Sequence, residues 1–331
     1  MGKKISVIGS GSWATAITKL LTENGHQVQW WLRTQEQVDS LLATGTNTKY
    51  LSDIHFNLSN LKPSADINLV LADTEFVFLV VPSAFLQTAL SGTAYGALQG
   101  KTIVSGIKGI IPEGNQLITD YLESTFGLSH DSMTILAGPC HAEEVALEKK
   151  SYLTVGANNL EVANAVADLI RGKNLKATAS TDLYGLEFAA ILKNVVAIAC
   201  GMAHALHYGD NFLAVLVANA LREVEDFINK AYPDPNRRIV ASGYVGDVLV
   251  TSYSQFSRNR TFGSMIGRGY TVQAVQMEMN MIAEGYYAVR CLQQMNQIWQ
   301  APMPIMSAMY SVLYNHLPAK QAFKTLEENF S

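Results

Sequence analysis

Charge is scarce in this chain. Only 16% of its 331 residues are Asp, Glu, Lys or Arg, and together they give a net charge of −4. No run of Lys or Arg stands out, so no nucleic-acid arm is expected, and the mild acidity asks for no polyanionic partner. Isolated cationic sites for one small phosphate remain compatible with this balance. Cysteine is just as sparse: Cys140, Cys200 and Cys291 are odd in number, far apart and outside any C-x-x-C pattern. That argues against a disulfide framework or a zinc knuckle and fits a reducing cytoplasm. The first eight residues resemble the start of a leader peptide, but the apolar stretch is short and is interrupted by Gly9 and Gly11. Low-complexity tracts and internal repeats are missing as well.

Apolar residues, by contrast, are plentiful. Hydrophobic side chains make up 48% of the chain, enough for a sizeable core, and 331 residues suggest two domains. The stretch from Leu186 to Leu206 resembles a membrane span in length and composition. Lys193 and Asn194 stand near its middle, and a central Lys costs roughly 2.5–3.5 kcal/mol on insertion scales. It therefore reads as a buried helix of a soluble protein, with no stable membrane insertion.

The run from Ile5 to Ile8 is β-branched and ends at Gly9, which predicts a buried strand. Helical spacing follows from Ala14 to Glu23, closed by Asn24 and Gly25, and Val28 to Leu32 predicts a second strand. Strand, helix and strand within ~30 residues form a βαβ unit with a right-handed crossover. Further strands are predicted at Phe76–Val81, Lys101–Ser105, Met133–Ala137, Tyr152–Val155 and Leu175–Ala179. Continuous apolar strands in repeated βα units imply a parallel sheet with both faces covered. Beyond about residue 180 the pattern turns helical, over 183–207, 211–231, 238–251, 271–284, 285–299 and 303–316, with breaks at Tyr232–Pro235 and around Gly263–Gly269. The expected architecture is an α/β, Rossmann-like dinucleotide-binding domain over residues 1–180, followed by an all-α C-terminal domain over 181–331.

Gly9-Ser10-Gly11-Ser12-Trp13-Ala14 is a G-x-G-x-x-A fingerprint. Gly9 permits the tight turn, Gly11 lets a pyrophosphate approach the backbone, and a small third residue lets helix pack on strand. A Gly-rich turn can be merely a turn; here the strand before it and the helix and strand after it supply the context. After the second strand, where NAD-binding proteins usually carry an acid for the ribose 2′-hydroxyl, this chain has Arg33. An Arg there suits a 2′-phosphate, so NADP is favoured over NAD by a small margin; the alternative is a solvated surface Arg.

Lys108 follows the strand that begins at Lys101, where open sheets bind ligands, though a loop Lys is often only solvated. Lys193 lies in a helix that is apolar on all faces. It must be paired, neutralised or facing a cavity, and desolvation makes it a candidate proton donor and acceptor. It can also snorkel to solvent from a domain edge. Ser257-Arg258-Asn259-Arg260 offers donors for a phosphate or forms a charged interhelical loop. Two patterns attract attention without support. Cys140 and His141 are adjacent but lack an orienting third residue, and His204 and His207 have the spacing of a metal pair without a further ligand. No metal is expected.

In family order, these segments resemble the NAD(P)-dependent glycerol-3-phosphate dehydrogenases, bacterial members in particular. The resemblance runs through the fingerprint, Val80–Ser83, Ile107–Gly109, Gly138–Glu144, Leu192–Val195, Gly246-Asp247, Ser257–Gly263 and Ala283–Gly285. It implies reduction of dihydroxyacetone phosphate to glycerol 3-phosphate by NADPH or NADH, feeding glycerophospholipid synthesis in the cytoplasm. It also implies roles. Lys193 is the acid/base, Lys108 lies near cofactor and substrate, and Asp247 orients the ammonium. Gly138, Cys140, Ser257, Arg258 and Asn259 join these three at the substrate. Gly9, Gly11, Ser12, Trp13, Arg33, Lys108, Ala142, Arg258, Ile282 and Glu284 meet the cofactor. Two departures stand out: Cys140 replaces a commoner Ser or Thr, and Gly243-Tyr-Val-Gly246 replaces a shorter Gly-Leu-Gly turn before Asp247. A related β-hydroxyacid or ketopantoate-type dehydrogenase shares the fingerprint and a Lys-Asn pair, but the Ser-Arg-Asn-Arg run favours a phosphate substrate. A nucleotide-sensing module would need no proton donor. A homodimer is compatible with all of this, and the sequence leaves oligomeric state open.

Overall fold

A computed structural model describes residues 2–279 and 283–330. The chain divides into two compact units. A sheet unit comprises Met1–Ile107 and Leu117–Leu183, and a helical unit comprises Lys108–Gln116 and Tyr184–Ser331.

Among the described residues the sheet unit has eight strands: β1 (Lys4–Ile8), β2 (Gln27–Trp31), β3 (Leu61–Ser64), β4 (Phe76–Leu79), β5 (Thr102–Ser105), β6 (Met133–Ala137), β7 (Ser151–Ala157) and β8 (Leu175–Ser180). Its helices are α1 (Ser12–Glu23), α2 (Gln35–Thr44), α3 (Ile67–Leu71), α4 (Leu86–Leu90), α5 (Ile118–Phe126), α6 (Ala142–Ala146) and α7 (Leu160–Ile170). The strand order is β3-β2-β1-β4-β5-β6-β7-β8. Its first six strands follow the 3-2-1-4-5-6 order of a dinucleotide-binding sheet. Every residue of β4 and β6 is buried although side chains alternate sides, so both faces of the sheet are covered.

Two features depart from the strand pattern read above. β3 carries Pro63, which lacks an N–H donor and so is tolerated at the sheet edge where β3 lies. β6 and β7 pair antiparallel, whereas β1–β2, β1–β4, β4–β5, β5–β6 and β7–β8 pair parallel. The link between β6 and β7 contains only α6, five residues, about 7.5 Å of helix. A parallel crossover usually carries a helix long enough to run back along the sheet, which α6 is not, and here the chain returns as an antiparallel strand.

The helical unit contains α8 (Leu183–Ala205), apart from its first residue, then α9 (Asp210–Ala231), α10 (Asp247–Tyr253), α11 (Arg258–Gly267), α12 (Val272–Glu278), α13 (Glu284–Trp299), α14 (Pro304–Tyr314) and α15 (Ala319–Asn329). α8 is long and apolar enough to cross a membrane, yet its most apolar 18-residue window is wholly buried inside the protein. Phe188 packs edge-on against Phe227 of α9 and Trp299 of α13, with ring centroids 5.3 and 5.8 Å away.

Of the break expected around Gly263–Gly269, only the far end is a break: Gly263 to Gly267 lie inside α11, which stops before Gly269, whose φ is 94°. A Cβ at Gly263 would stand 2.0 Å from the Ile198 carbonyl oxygen, and one at Gly201 2.0 Å from that of Arg260. These glycines bring two helix backbones into contact, which outweighs their weak helix propensity. The expected helix over 238–251 is also revised. Residues Ser242–Gly246 form a π-helical turn, and α10 starts at Asp247. The helix expected over 271–284 stops at Glu278, and a separate helix begins at Glu284.

Candidate active site

In the sheet unit, the strand order reverses between β1 and β4, and ligands of such sheets bind beyond the carboxyl ends at that point. Gly9 leaves β1 with φ 138°, and a Cβ there would lie 2.3 Å from the Val80 carbonyl oxygen, so the turn requires glycine. Gly11 is different. Its φ of −80° suits any residue, and a Cβ there would meet no protein atom within 4 Å. The protein itself has no need of glycine at that position, but a phosphate approaching the backbone does. Ser12 opens α1 without a side-chain cap on its N-terminus and without an acid in its first turn. That helix end therefore attracts an anion through its N–H groups and dipole. Ala14 is fully buried as the small third residue. Trp13 is half-buried, and its Nε1 would come within 2.9 Å of a Cβ on Gly106, just past β5.

Arg33 is exposed two residues beyond β2. Gly138, with φ 114°, follows β6; Cys140 is half-buried and outside any disulfide, and buried Ala142 opens α6. The open space over the Gly11 backbone and the unblocked end of α1 fit the pyrophosphate of a dinucleotide.

The helical unit holds the charged cluster. Lys193 and Asp247 are 6% and 1% exposed, so two charges lie inside the protein. The Asp247 carboxylate bridges two ammonium groups. Lys193 Nζ donates to Oδ1, and Lys108 Nζ donates to Oδ2 at 3.0 Å. Burial pushes the Lys193 ammonium down to about 7; Asp247 opposes this and Lys108 reinforces it. Burial alone would raise Asp247, but the two lysines outweigh it and hold the carboxyl below its ordinary value. Burial is the largest effect on Lys193, and one carboxylate shared by two cations offsets it only in part. The turn before Asp247 is a π-helical turn with buried Tyr244, and it feeds directly into α10, which Asp247 opens.

A polar chain extends the cluster. Asn194 Nδ2 donates to the Lys108 carbonyl oxygen at 2.6 Å. Asn194 Oδ1 accepts from Asn259 Nδ2 at 2.9 Å, and Asn259 Oδ1 accepts from the Gly285 N–H at 2.9 Å. Asn259 is thus tied to the lysine cluster through α8. Buried Ser257 caps α11 by accepting from the Arg260 N–H, and Arg258 is the exposed first residue of that helix. Glu284 opens α13, and Ile282 lies outside the described residues. His204 is on α8, but His207 lies past its end with φ 64°, so the pair loses its helical spacing. Among the described residues, no group of three or more His, Cys, Asp or Glu side chains is placed to hold a metal.

Sequence reasoning passed over Asn194 as a site residue, although a second polar side chain in an apolar helix was a usable signal. It also passed over Trp30 and Asn47. Trp30 Nε1 donates to the Gly9 carbonyl oxygen at 2.7 Å, and Asn47 Nδ2 to that of Ser10 at 3.0 Å. Nothing in the local sequence announces either bond.

Known proteins match the chain along nearly its whole length. The N-terminal part of the NAD-dependent glycerol-3-phosphate dehydrogenase family matches residues 4–163, and the C-terminal part matches residues 182–324. A glycerol-3-phosphate dehydrogenase (NAD(P)+) of Bacillus velezensis is 32% identical over 325 residues, 98% of this chain and 94% of the relative. One from an Exiguobacterium species is 34% identical over 311 residues, 94% and 91% of the two chains. The solved glycerol-3-phosphate dehydrogenase of Coxiella burnetii superposes with a TM-score of 0.89 at 26% identity, covering 99% of each chain. With fingerprint, lysine cluster and full-length similarity in agreement, this chain belongs to the NAD-dependent glycerol-3-phosphate dehydrogenase family.

Proposed function

We propose that the protein is an NAD(P)-dependent oxidoreductase that interconverts dihydroxyacetone phosphate and glycerol 3-phosphate, with Lys193 as its acid/base. The observation that carries this reading is a buried Lys193 bound to Asp247, in a chain of this family. Residues 1–180 serve the cofactor, through Gly9, Gly11, Ser12, Trp13, Arg33 and Ala142. Residues 181–331 serve the chemistry, joined by Lys108. Arg258 and Glu284 complete the cofactor contacts. Gly138, Cys140, Ser257, Arg258 and Asn259 receive the phosphate substrate.

When bound, NAD(P)H supplies the hydride. Lys193 then donates its proton to the carbonyl oxygen, so that no free alkoxide has to form. A Lys held near 7 suits both directions, since it is protonated for reduction and can be neutral for oxidation. Asp247 aims the ammonium and stays ionised because two cations face it. Lys108 and Arg258 supply positive charge for a phosphate. NADPH is used at least as well as NADH, because an Arg rather than an acid follows β2. Cysteines outside any disulfide and a buried α8 support a cytoplasmic enzyme, and a homodimer is compatible; feeding glycerophospholipid synthesis is part of the same proposal.

The test is an initial-rate assay with each cofactor. Oxidation of NADPH or NADH on addition of dihydroxyacetone phosphate, but not of ketopantoate or tartronate semialdehyde, is expected. No turnover with either cofactor would end this reading.

A further inference from the structure

We infer that Asn47 is a positioning residue for cofactor binding: its side-chain amide sets the direction of the N–H groups in the Gly9–Ser12 turn. The inference rests on the dinucleotide reading above and assigns that site a residue outside the fingerprint.

Three successive carbonyl groups of the turn are each held by a side chain. Trp30 Nε1 donates to Gly9 O at 2.7 Å, Asn47 Nδ2 to Ser10 O at 3.0 Å, and Thr15 Oγ1 to Gly11 O at 3.0 Å. Asn47 Nδ2 also donates to Thr15 Oγ1 at 2.8 Å, so one amide organises two of the three. In a planar trans peptide the C=O and the following N–H point in opposite directions. Turning these oxygens toward the protein therefore turns the N–H groups of Ser10, Gly11 and Ser12 away from it, as an anion site needs.

Asn47 is itself well placed for this. Its Oδ1 accepts from the Lys49 N–H at 3.4 Å, and its carbonyl oxygen accepts from the Tyr50 N–H at 3.1 Å. Downstream, the same loop is anchored by buried Phe56, whose ring lies 5.3 Å from that of Trp30. The loop between α2 and β3 thus reaches back to the fingerprint from more than thirty residues away.

The experiment titrates the full chain with NADPH by calorimetry, beside adenosine 2′-phosphate, which has no pyrophosphate. Asn47→Ala should weaken NADPH ~3- to 10-fold, the size of one or two net hydrogen bonds. Asn47→Asp should weaken it further, because a carboxylate then faces the Ser10 carbonyl and repels the pyrophosphate. Adenosine 2′-phosphate affinity, the melting temperature without ligand and the KM for dihydroxyacetone phosphate should stay near wild type. Thr15→Val should weaken NADPH too, and less than additively with Asn47→Ala. Unchanged NADPH binding in all three variants overturns the inference, as does equal weakening of NADPH and adenosine 2′-phosphate. A wild-type protein that binds no NADPH overturns the cofactor reading itself.

Discussion

The sheet unit and the helical unit build their sites in opposite ways. In the sheet unit, most of the site is contiguous: Gly9 to Ala14 form a turn and the first turn of one helix, set by strand ends and backbone geometry. In the helical unit no two members of the ionic cluster are neighbours in sequence. Lys108 and Lys193 meet Asp247 across 139 and 54 residues. The difference teaches where fragility lies. A turn whose carbonyl groups are held by several side chains is weakened, not lost, when one of them changes. A buried charge cluster is coupled, so removing one member leaves the others uncompensated.

The largest effect should come from the centre of that cluster. Lys193→Met fills the space without the charge, and turnover should fall at least ~10²-fold, the low end for a general acid. NADPH affinity should barely change, because in the proposed mechanism Lys193 acts on the substrate's carbonyl oxygen. A near wild-type kcat would move the proton donor to Lys108. Next comes Gly263→Ala, which tests whether helix contact positions the cluster. The added Cβ collides with the Ile198 carbonyl, at a cost of ~1–3 kcal/mol in folding stability, as overpacking does. Turnover should drop with it as Asn259 draws away from Asn194. An unchanged melting temperature would mean that α8 and α11 tolerate separation.

A pH profile sharpens the comparison without mutation. In the proposed mechanism reduction needs protonated Lys193, and burial lowers its pKa to about 7. The rate of dihydroxyacetone phosphate reduction should therefore fall above about pH 7, while glycerol 3-phosphate oxidation should rise through the same range. In Asp247→Asn the opposing carboxylate is gone and burial and Lys108 act alone, so the limb should move to lower pH. A limb that stays in place would uncouple Asp247 from the titration.

The same contrast explains what could be read in advance. The fingerprint was legible because its residue types, order and flanking strands are all local. Lys193 was legible as a charge in an apolar helix, but its partner Asp247 came only through the family resemblance, since no spacing rule links residues 54 apart. Gly263 and Gly267 were read as breakers because propensity is local, whereas the contact that makes glycine favourable belongs to another helix. β7 was recognisable as a strand, but alternation and apolarity carry no information about direction. Asn47 gave no signal at all, because an Asn in a polar loop is ordinary until its amide is seen on the Ser10 carbonyl.

In the sheet unit the expected effects are smaller, because contacts there are spread over a backbone. Arg33 is exposed, so its charge is screened and its contribution modest. Arg33→Asp should raise the KM for NADPH ~10-fold, the scale of a charge-assisted hydrogen bond lost, and leave that for NADH nearly unchanged. Equal changes with both cofactors would remove the 2′-phosphate from Arg33.

The smallest change is expected at Cys140, where chemistry and binding make opposite demands. The thiol is half-buried in the loop after β6, and its neighbour His141 offers an obvious dyad. In the proposed mechanism hydride transfer has no use for a nucleophile, since the carbonyl carbon accepts hydride directly and its oxygen takes a proton from Lys193. The group needed at position 140 is then a hydrogen-bond donor to the substrate, and S–H is a weak one. Cys140→Ser supplies a hydroxyl of similar shape and a stronger donor. Turnover should stay within about twofold of wild type, while the KM for dihydroxyacetone phosphate falls a few-fold, a fraction of the ~0.5–1.5 kcal/mol net worth of a hydrogen bond. Loss of all turnover in a folded variant that still binds NADPH would restore the thiol to the mechanism. It would also put a reacting side chain in the unit read here as backbone architecture.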